Sequence, residues 1–141
     1  MSYDDARAAI TQRFSERWAA SEFAAVPVWY PNQSFNKTSG AYIALSIVGT
    51  GGDAASIGAP GAVLDRYTGF VQVDSLVPND TGESTALKMA EVAAAALRRA
   101  ELNYGASGNI TFGVEGEPVR LPHPGKYRIT TRVPYRRDIL N

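Results

Sequence analysis

The chain has 141 residues, enough to bury one core of its own, and at 45% hydrophobic and 20% charged it has the make-up of an ordinary globular protein. Lys plus Arg and Asp plus Glu each number 14, so no net field marks it as a nucleic-acid or membrane binder. The absence of cysteine excludes a disulfide frame and a thiolate metal site, and no apolar run is long enough to span a bilayer.

Residues Asp4 to about Ser21 read as a helix, with Asp4 and Asp5 where the dipole favours negative charge. Ile10, Phe14 and Trp18 recur every four residues and form one apolar stripe, expected to pack on a sheet. Val26 to Tyr30 is a short extended piece, confined to an edge by Pro27 and Pro31. A polar loop follows, from Asn32 to Gly40. Tyr42 to Val48 is a strand with Ile43, Leu45 and Ile47 on one face, and the Gly/Ala/Ser-rich run from Gly49 to Ala62 is expected to be a mobile loop. Leu64 to Val77 is a longer strand, with Tyr67, Val71 and Val73 sharing a face.

Asp80-Thr81-Gly82-Glu83 has the form of a capping box and opens a helix to about Glu101. Its apolar stripe is Ala86, Leu87, Ala90, Ala93, Ala94 and Leu97, and Arg98 and Arg99 sit where they complement the dipole. Ile110, Phe112 and Val114 alternate, as do Tyr127, Ile129, Thr131, Val133 and Tyr135, giving two more strands. The last of them carries Lys126, Arg128, Thr130 and Arg132 on its opposite face and ends in a basic tail, Arg136-Arg137. This order predicts a single α+β domain over residues 1–141. Its sheet is antiparallel or mixed, of four to five strands, with two helices packed on one face.

Candidate chemistry is sparse. Gly49-Thr50-Gly51-Gly52-Asp53-Ala54 matches the glycine pattern of a dinucleotide-binding turn, but Gly58, Pro60 and Gly61 forbid the helix that such a turn must open. His123 lies between prolines in a turn, with no second imidazole to share a metal. Asp65 and Asp74 lie on one strand about 30 Å apart and on opposite faces, too far to share a substrate. No H-E-x-x-H or G-x-S-x-G motif occurs. No catalytic, cofactor-binding or metal-binding residue is assigned.

Charge is unevenly placed instead. From Arg120 onward, Arg120, Lys126, Arg128, Arg132, Arg136 and Arg137 face only Asp138. Between Asp53 and Glu91 the acids prevail. Such ends suit self-association. The expected partner interface comprises Arg66, Asp74, Arg128, Arg132, Arg136 and Arg137, with Gly51, Gly52 and Asp53 in a loop that orders on contact. A rival reading from another class is a small nucleotide- or DNA-contacting protein using the Gly49 loop or the basic tail.

Over nearly its full length the chain resembles the tail terminator proteins of long-tailed, lambda-like bacteriophages. The resemblance rests on the N-terminal amphipathic helix, the Pro27 to Tyr30 strand, and Ala41-Tyr42-Ile43-Ala44-Leu45. Its most specific stretch is Tyr67-Thr68-Gly69-Phe70-Val71-Gln72-Val73-Asp74, leading through Pro78 and Gly82 into the alanine-rich helix; the ending Tyr127 to Tyr135 also fits. The resemblance implies a non-enzymatic subunit of a homohexameric ring that caps the tail tube, ends its polymerisation and offers a surface for head-tail joining. Its implied partners are further copies of itself, the tail tube protein and a head-side connector. It implies no cofactor, no membrane and no sequence-specific nucleic acid, with DNA passing through the ring. It places the protein in the virion, assembled in the host cytoplasm. Other neck and minor tail proteins have related folds, so a head-tail connector is the alternative.

Overall fold

Two strands of 15 residues organise the computed structural model, which describes residues 3–31, 33–54, 63–105 and 108–140. β3 (Leu64–Pro78) and β7 (Lys126–Leu140) pair antiparallel in one unbroken register, from Leu64 opposite Leu140 to Pro78 opposite Lys126. At the rise of an extended chain this ribbon is about 50 Å long. Their alternation explains the pairing: Val71, Val73, Val77, Ile129, Val133 and Tyr135 all face one side and are buried.

The remaining strands extend this ribbon on both flanks. β2 (Tyr42–Ala54) pairs antiparallel with β3, and β1 (Val28–Trp29) adds a short parallel edge to β2. Beyond β7 lie β5 (Gly108–Phe112) and then β4 (Glu101–Tyr104), while β6 (Val119–Leu121) pairs with the other end of β7. The order is β1-β2-β3-β7-β5-β4, a mixed sheet of seven strands, two more than expected from the sequence. The class, α+β, is as expected. The extra strands, β4 and β6, have four and three residues, too few for alternation to announce them.

α1 (Tyr3–Ala19) buries Ala6, Ile10, Phe14 and Trp18, the expected stripe. The stripe lies against β4 and a second helix, α2 (Glu83–Leu97), rather than flat on the sheet. Arg13 Nε donates to the Ala96 carbonyl at 3.1 Å, and Trp18 Nε1 donates to the Val26 carbonyl at 3.0 Å. α2 covers β3 and β7. It does so through Ala86, Met89, Ala90, Ala93, Ala94, Ala96 and Leu97, and the small side chains let its backbone approach the strands closely.

Several sequence expectations are corrected. No capping box forms: Gly82 is the N-cap of α2, without a side-chain bond. Asp80 is held in a turn at φ 68, where Thr81 Oγ1 donates to the Pro78 carbonyl at 2.6 Å. Glu83 instead accepts a 2.5 Å hydrogen bond from the Tyr127 hydroxyl, which ties the start of α2 to β7. α2 stops at Leu97 because Arg99 takes the left-handed conformation, φ 56, so Arg98 and Arg99 are not in its last turn and Glu101 starts a strand.

The largest correction concerns the glycine run. Gly49 to Ala54 are strand residues in β2, paired with Asp65 to Gly69 across a bulge between Gly49 and Gly51. Residues 55–62 of the expected loop lie outside the described residues. Here glycine answers close approach. A Cβ on Gly69 would meet the Val48 carbonyl oxygen and lie 2.6 Å from the Tyr135 hydroxyl.

Gly69→Ala is therefore expected to destabilise the fold by about 1–3 kcal/mol, because neither a central-strand backbone nor a buried ring can give way cheaply. Urea denaturation should show a lower midpoint at unchanged slope.

Candidate assembly surface

The sheet has one face covered by helices and one face without them, and the register decides which side chains share the open face. Reading across β2, β3 and β7, the rows are Tyr42–Leu76–Arg128, Ala44–Asp74–Thr130, Ser46–Gln72–Arg132 and Val48–Phe70–Pro134. Past the bulge they continue as Gly51–Thr68–Arg136 and Asp53–Arg66–Asp138. The bulge matters here because it shifts the alternation of β2 by one residue, bringing Gly51 and Asp53 to the open face and turning Gly52 to the covered one.

Seven of the nine expected interface residues thus share one face: Arg66, Asp74, Arg128, Arg132, Arg136, Gly51 and Asp53. Several of them are engaged within the chain. Arg66 Nε and Nη2 donate to the two Asp138 oxygens at 2.8 and 3.2 Å, a bidentate pair. Asp74, only 8% exposed, accepts from Thr130 Oγ1 at 2.6 Å and from Arg128 Nη2 at 3.1 Å, so its charge is compensated where it is buried.

Arg132 and Arg136 differ. Arg132 is exposed, lies 4.8 Å over the Phe70 ring and donates through Nε to Gln72 at 3.1 Å. Arg136 is about half-exposed and reaches Asp138 only at 3.5 Å, a carboxylate that Arg66 already holds. These two cations keep charge to offer. Between their rows runs Val48–Phe70–Pro134, an apolar line across three strands, with Val48 38% exposed. This line was not foreseen. Each residue looked unremarkable on its own strand, and only the register joins them.

The other end of the open face is closed by the chain itself. The Trp29 ring stacks on Phe35 at 5.4 Å, and Phe35 meets Tyr42 at 5.2 Å, laying the loop after β1 over Tyr42. Lys126 Nζ donates to the Gly40 carbonyl at 2.9 Å and fastens that loop to the start of β7.

Arg137 and Gly52 are corrections. There is no basic tail, since Arg136 to Asp138 continue β7, and consecutive strand residues point to opposite faces. Arg137 is buried on the covered face, with its guanidinium 4.2 Å from the Tyr67 ring and Nη1 donating to the Tyr104 hydroxyl at 3.1 Å. Tyr67 lies flat on Gly52, and Tyr104 lies on Gly108. Burial first, and Tyr3 second, push the Tyr135 phenol well above its ordinary range. Arg137 therefore staples α1, β3 and β4 together and offers no surface charge.

On the covered side, α2 and the segment 113–118 enclose a cleft of about 430 Å³ lined by Leu87, Ala90, Glu91, Ala94, Val114 and Glu117, among others. The segment is hung on β7 by Gly113 N–H donating to the Pro134 carbonyl at 2.9 Å and Gly116 N–H to the Arg132 carbonyl at 3.1 Å. Arg98 forks onto Glu115 at the cleft end, with Nε within 2.7 and 2.9 Å of its two oxygens. That guanidinium holds the Glu115 carboxyl below its ordinary value. Among the described residues no group of three or more His, Asp or Glu is placed to hold a metal ion.

The fold defines a small α+β sheet protein with one helix-covered face and one open, charged face. A family model described as phage tail terminator protein matches residues 5–135, and the chain belongs to that family. It is a structural protein of the bacteriophage virion, a component of the tail. One solved chain, 22% identical, matches 100% of this chain and 97% of its own length with a TM-score of 0.69. A chain in the virion of a native gene transfer agent particle is 21% identical, with a TM-score of 0.58, over 97% of this chain and 99% of that one. At these identities the likeness is one of fold. No curated protein sequence matches the chain.

Because the folded carboxyl of Glu115 titrates lower than a free one, its stabilisation is present above about pH 4.3, the ordinary glutamate value, and fades as pH falls through the folded pKa. Arg98 is 36% exposed, so solvent screening limits the gain to about 0.2–1 kcal/mol. Glu115→Gln should lose that amount at pH 7 and lose less near pH 3, measured by urea denaturation at both values.

Proposed function

We propose that this protein forms a closed ring on the end of the finished tail tube, stops further addition of tube protein, and presents the ring's other side to a head-side connector. Membership of the tail terminator family over residues 5–135 carries this reading. The open sheet face supports it physically. Arg132 and Arg136 flank an apolar line, which gives a dry centre with a charged rim, the usual anatomy of a protein contact.

A ring subunit needs two different surfaces that close by rotation. The helix-covered and open faces of this sheet are chemically unlike, as that geometry requires. Each contact alone can be weak while several act together on a tube end, so free protein need not be a ring. In this reading the protein is a non-enzymatic part whose partners are further copies of itself, the tube protein and the connector. DNA passes through the ring lumen without base-specific contact.

Phage lacking this protein should make tails of uncontrolled length that fail to join heads, as counted by electron microscopy of lysates. Tails of normal length that stay unjoined to heads would favour a connector role. Normal tails joined to heads would overturn both readings.

A further inference from the structure

The open face and the α2 cleft are complementary to one another. The open face carries an apolar line, Val48–Phe70–Pro134, with two cations of surplus charge, Arg132 and Arg136, in the rows on either side. The accessible apolar lining of the cleft is half-buried Leu87 and Val114, the latter 50% exposed, over a floor of fully buried Ala90 and Ala94. Its lips bear the exposed carboxylates Glu91 and Glu117; neither forms an ion pair with a described residue, although Glu91 lies close enough to Arg98 to stabilise its charge, whereas Glu115 is directly held by Arg98. The apolar line and the α2 lining lie on opposite sides of one sheet, so a single chain cannot join those two, while Glu117 sits at the β7 edge, where it also lines a small pocket with Thr130 and Arg132 of the open face.

We propose that the occupant of the open face is a second copy of this chain, presenting its α2 cleft. Resting on the self-assembly reading above, this names the two surfaces that meet. Val48, Phe70 and Pro134 of one copy cover Leu87 and Val114 of the next. Arg132 and Arg136 reach Glu91 and Glu117. The contact is heterologous, so every copy uses both surfaces and the chain of contacts propagates until it closes. The sheet then gains a helical layer on its bare face, which is how an apolar sheet surface is ordinarily covered.

A charge exchange tests the pairing. Arg132→Glu with Arg136→Glu, and separately Glu91→Arg with Glu117→Arg, should each weaken self-association about tenfold or more, because like charges then face each other across the rim. All four changes in one chain should restore association to near wild type. Sedimentation at several concentrations and ring counts on isolated tube ends read the association, and circular dichroism checks that each variant folds. Since the chain has no cysteine, Val48→Cys combined with Val114→Cys provides an independent readout. Mild oxidation should give a covalent ladder beyond the dimer, while Val48→Cys alone should give none. If wild type assembles but the four-fold variant does not and no ladder forms, this pairing is overturned and self-assembly stands. If wild type never assembles, even on tube ends, both fall.

Discussion

The rest of the structure depends on the unbroken pairing of β3 with β7. These strands are far apart in sequence, yet they match residue for residue from Leu64–Leu140 to Pro78–Lys126. A slip by one residue would exchange the faces of an entire strand. Val133 and Tyr135 would go to the bare side, and Arg132 and Arg136 would go beneath α2. The burial of Val71, Val73, Ile129 and Val133 on one side specifies the register hydrophobically. Polar pairs confirm it at both ends of the ribbon: Asp74 with Arg128 and Thr130, and Arg66 with Asp138.

The covered side shows how a small chain achieves close layers without a bulky core. α2 meets the strands mainly through alanines, and the larger side chains come from α1, where Ile10 and Phe14 are fully buried. At the far end of the ribbon, tyrosines take over. Tyr67 on Gly52, Tyr104 on Gly108 and Tyr135 against Gly69 fill the space that the glycines leave. Arg137 lies among Tyr3, Tyr67 and Tyr104, where ring faces offset part of the cost of burying a cation.

The bare side is specialised along its length. One end is covered by the chain's own Trp29, Phe35 and Tyr42. Around Asp74 the charges are satisfied internally and rigidify the ribbon. The stretch bearing Phe70, Arg132, Pro134 and Arg136 combines apolar surface with exposed cations. Salt bridges within the face thus separate the cations held tightly by the chain's own carboxylates, Arg66 and Arg128, from the more exposed Arg132 and Arg136. A tail component needs this division, because its fold must survive both before and after assembly.

Periodicity by itself determined a good deal. The every-fourth-residue stripe of Ile10, Phe14 and Trp18, the long alternations of β3 and β7 and the alanine-rich α2 announced an α+β sheet protein, and the Tyr67 to Asp74 stretch pointed to the terminator family. These signals are local, set by the 3.6- and 2-residue repeats of the backbone. Three decisions belonged to tertiary structure alone. The Gly49–Gly51 bulge turned an apparent loop into strand and reversed the facing of Gly51 to Asp53, because β3 supplied backbone partners that no local pattern reveals. The continuation of β7 past Tyr135 separated Arg136 from Arg137, one bare and one buried, because pairing with Thr68 and Tyr67 extended the alternation through what read as a tail. The line Val48–Phe70–Pro134 exists only across strands, since sheet register sets which residues of distant segments become neighbours, and sequence distance carries no record of it.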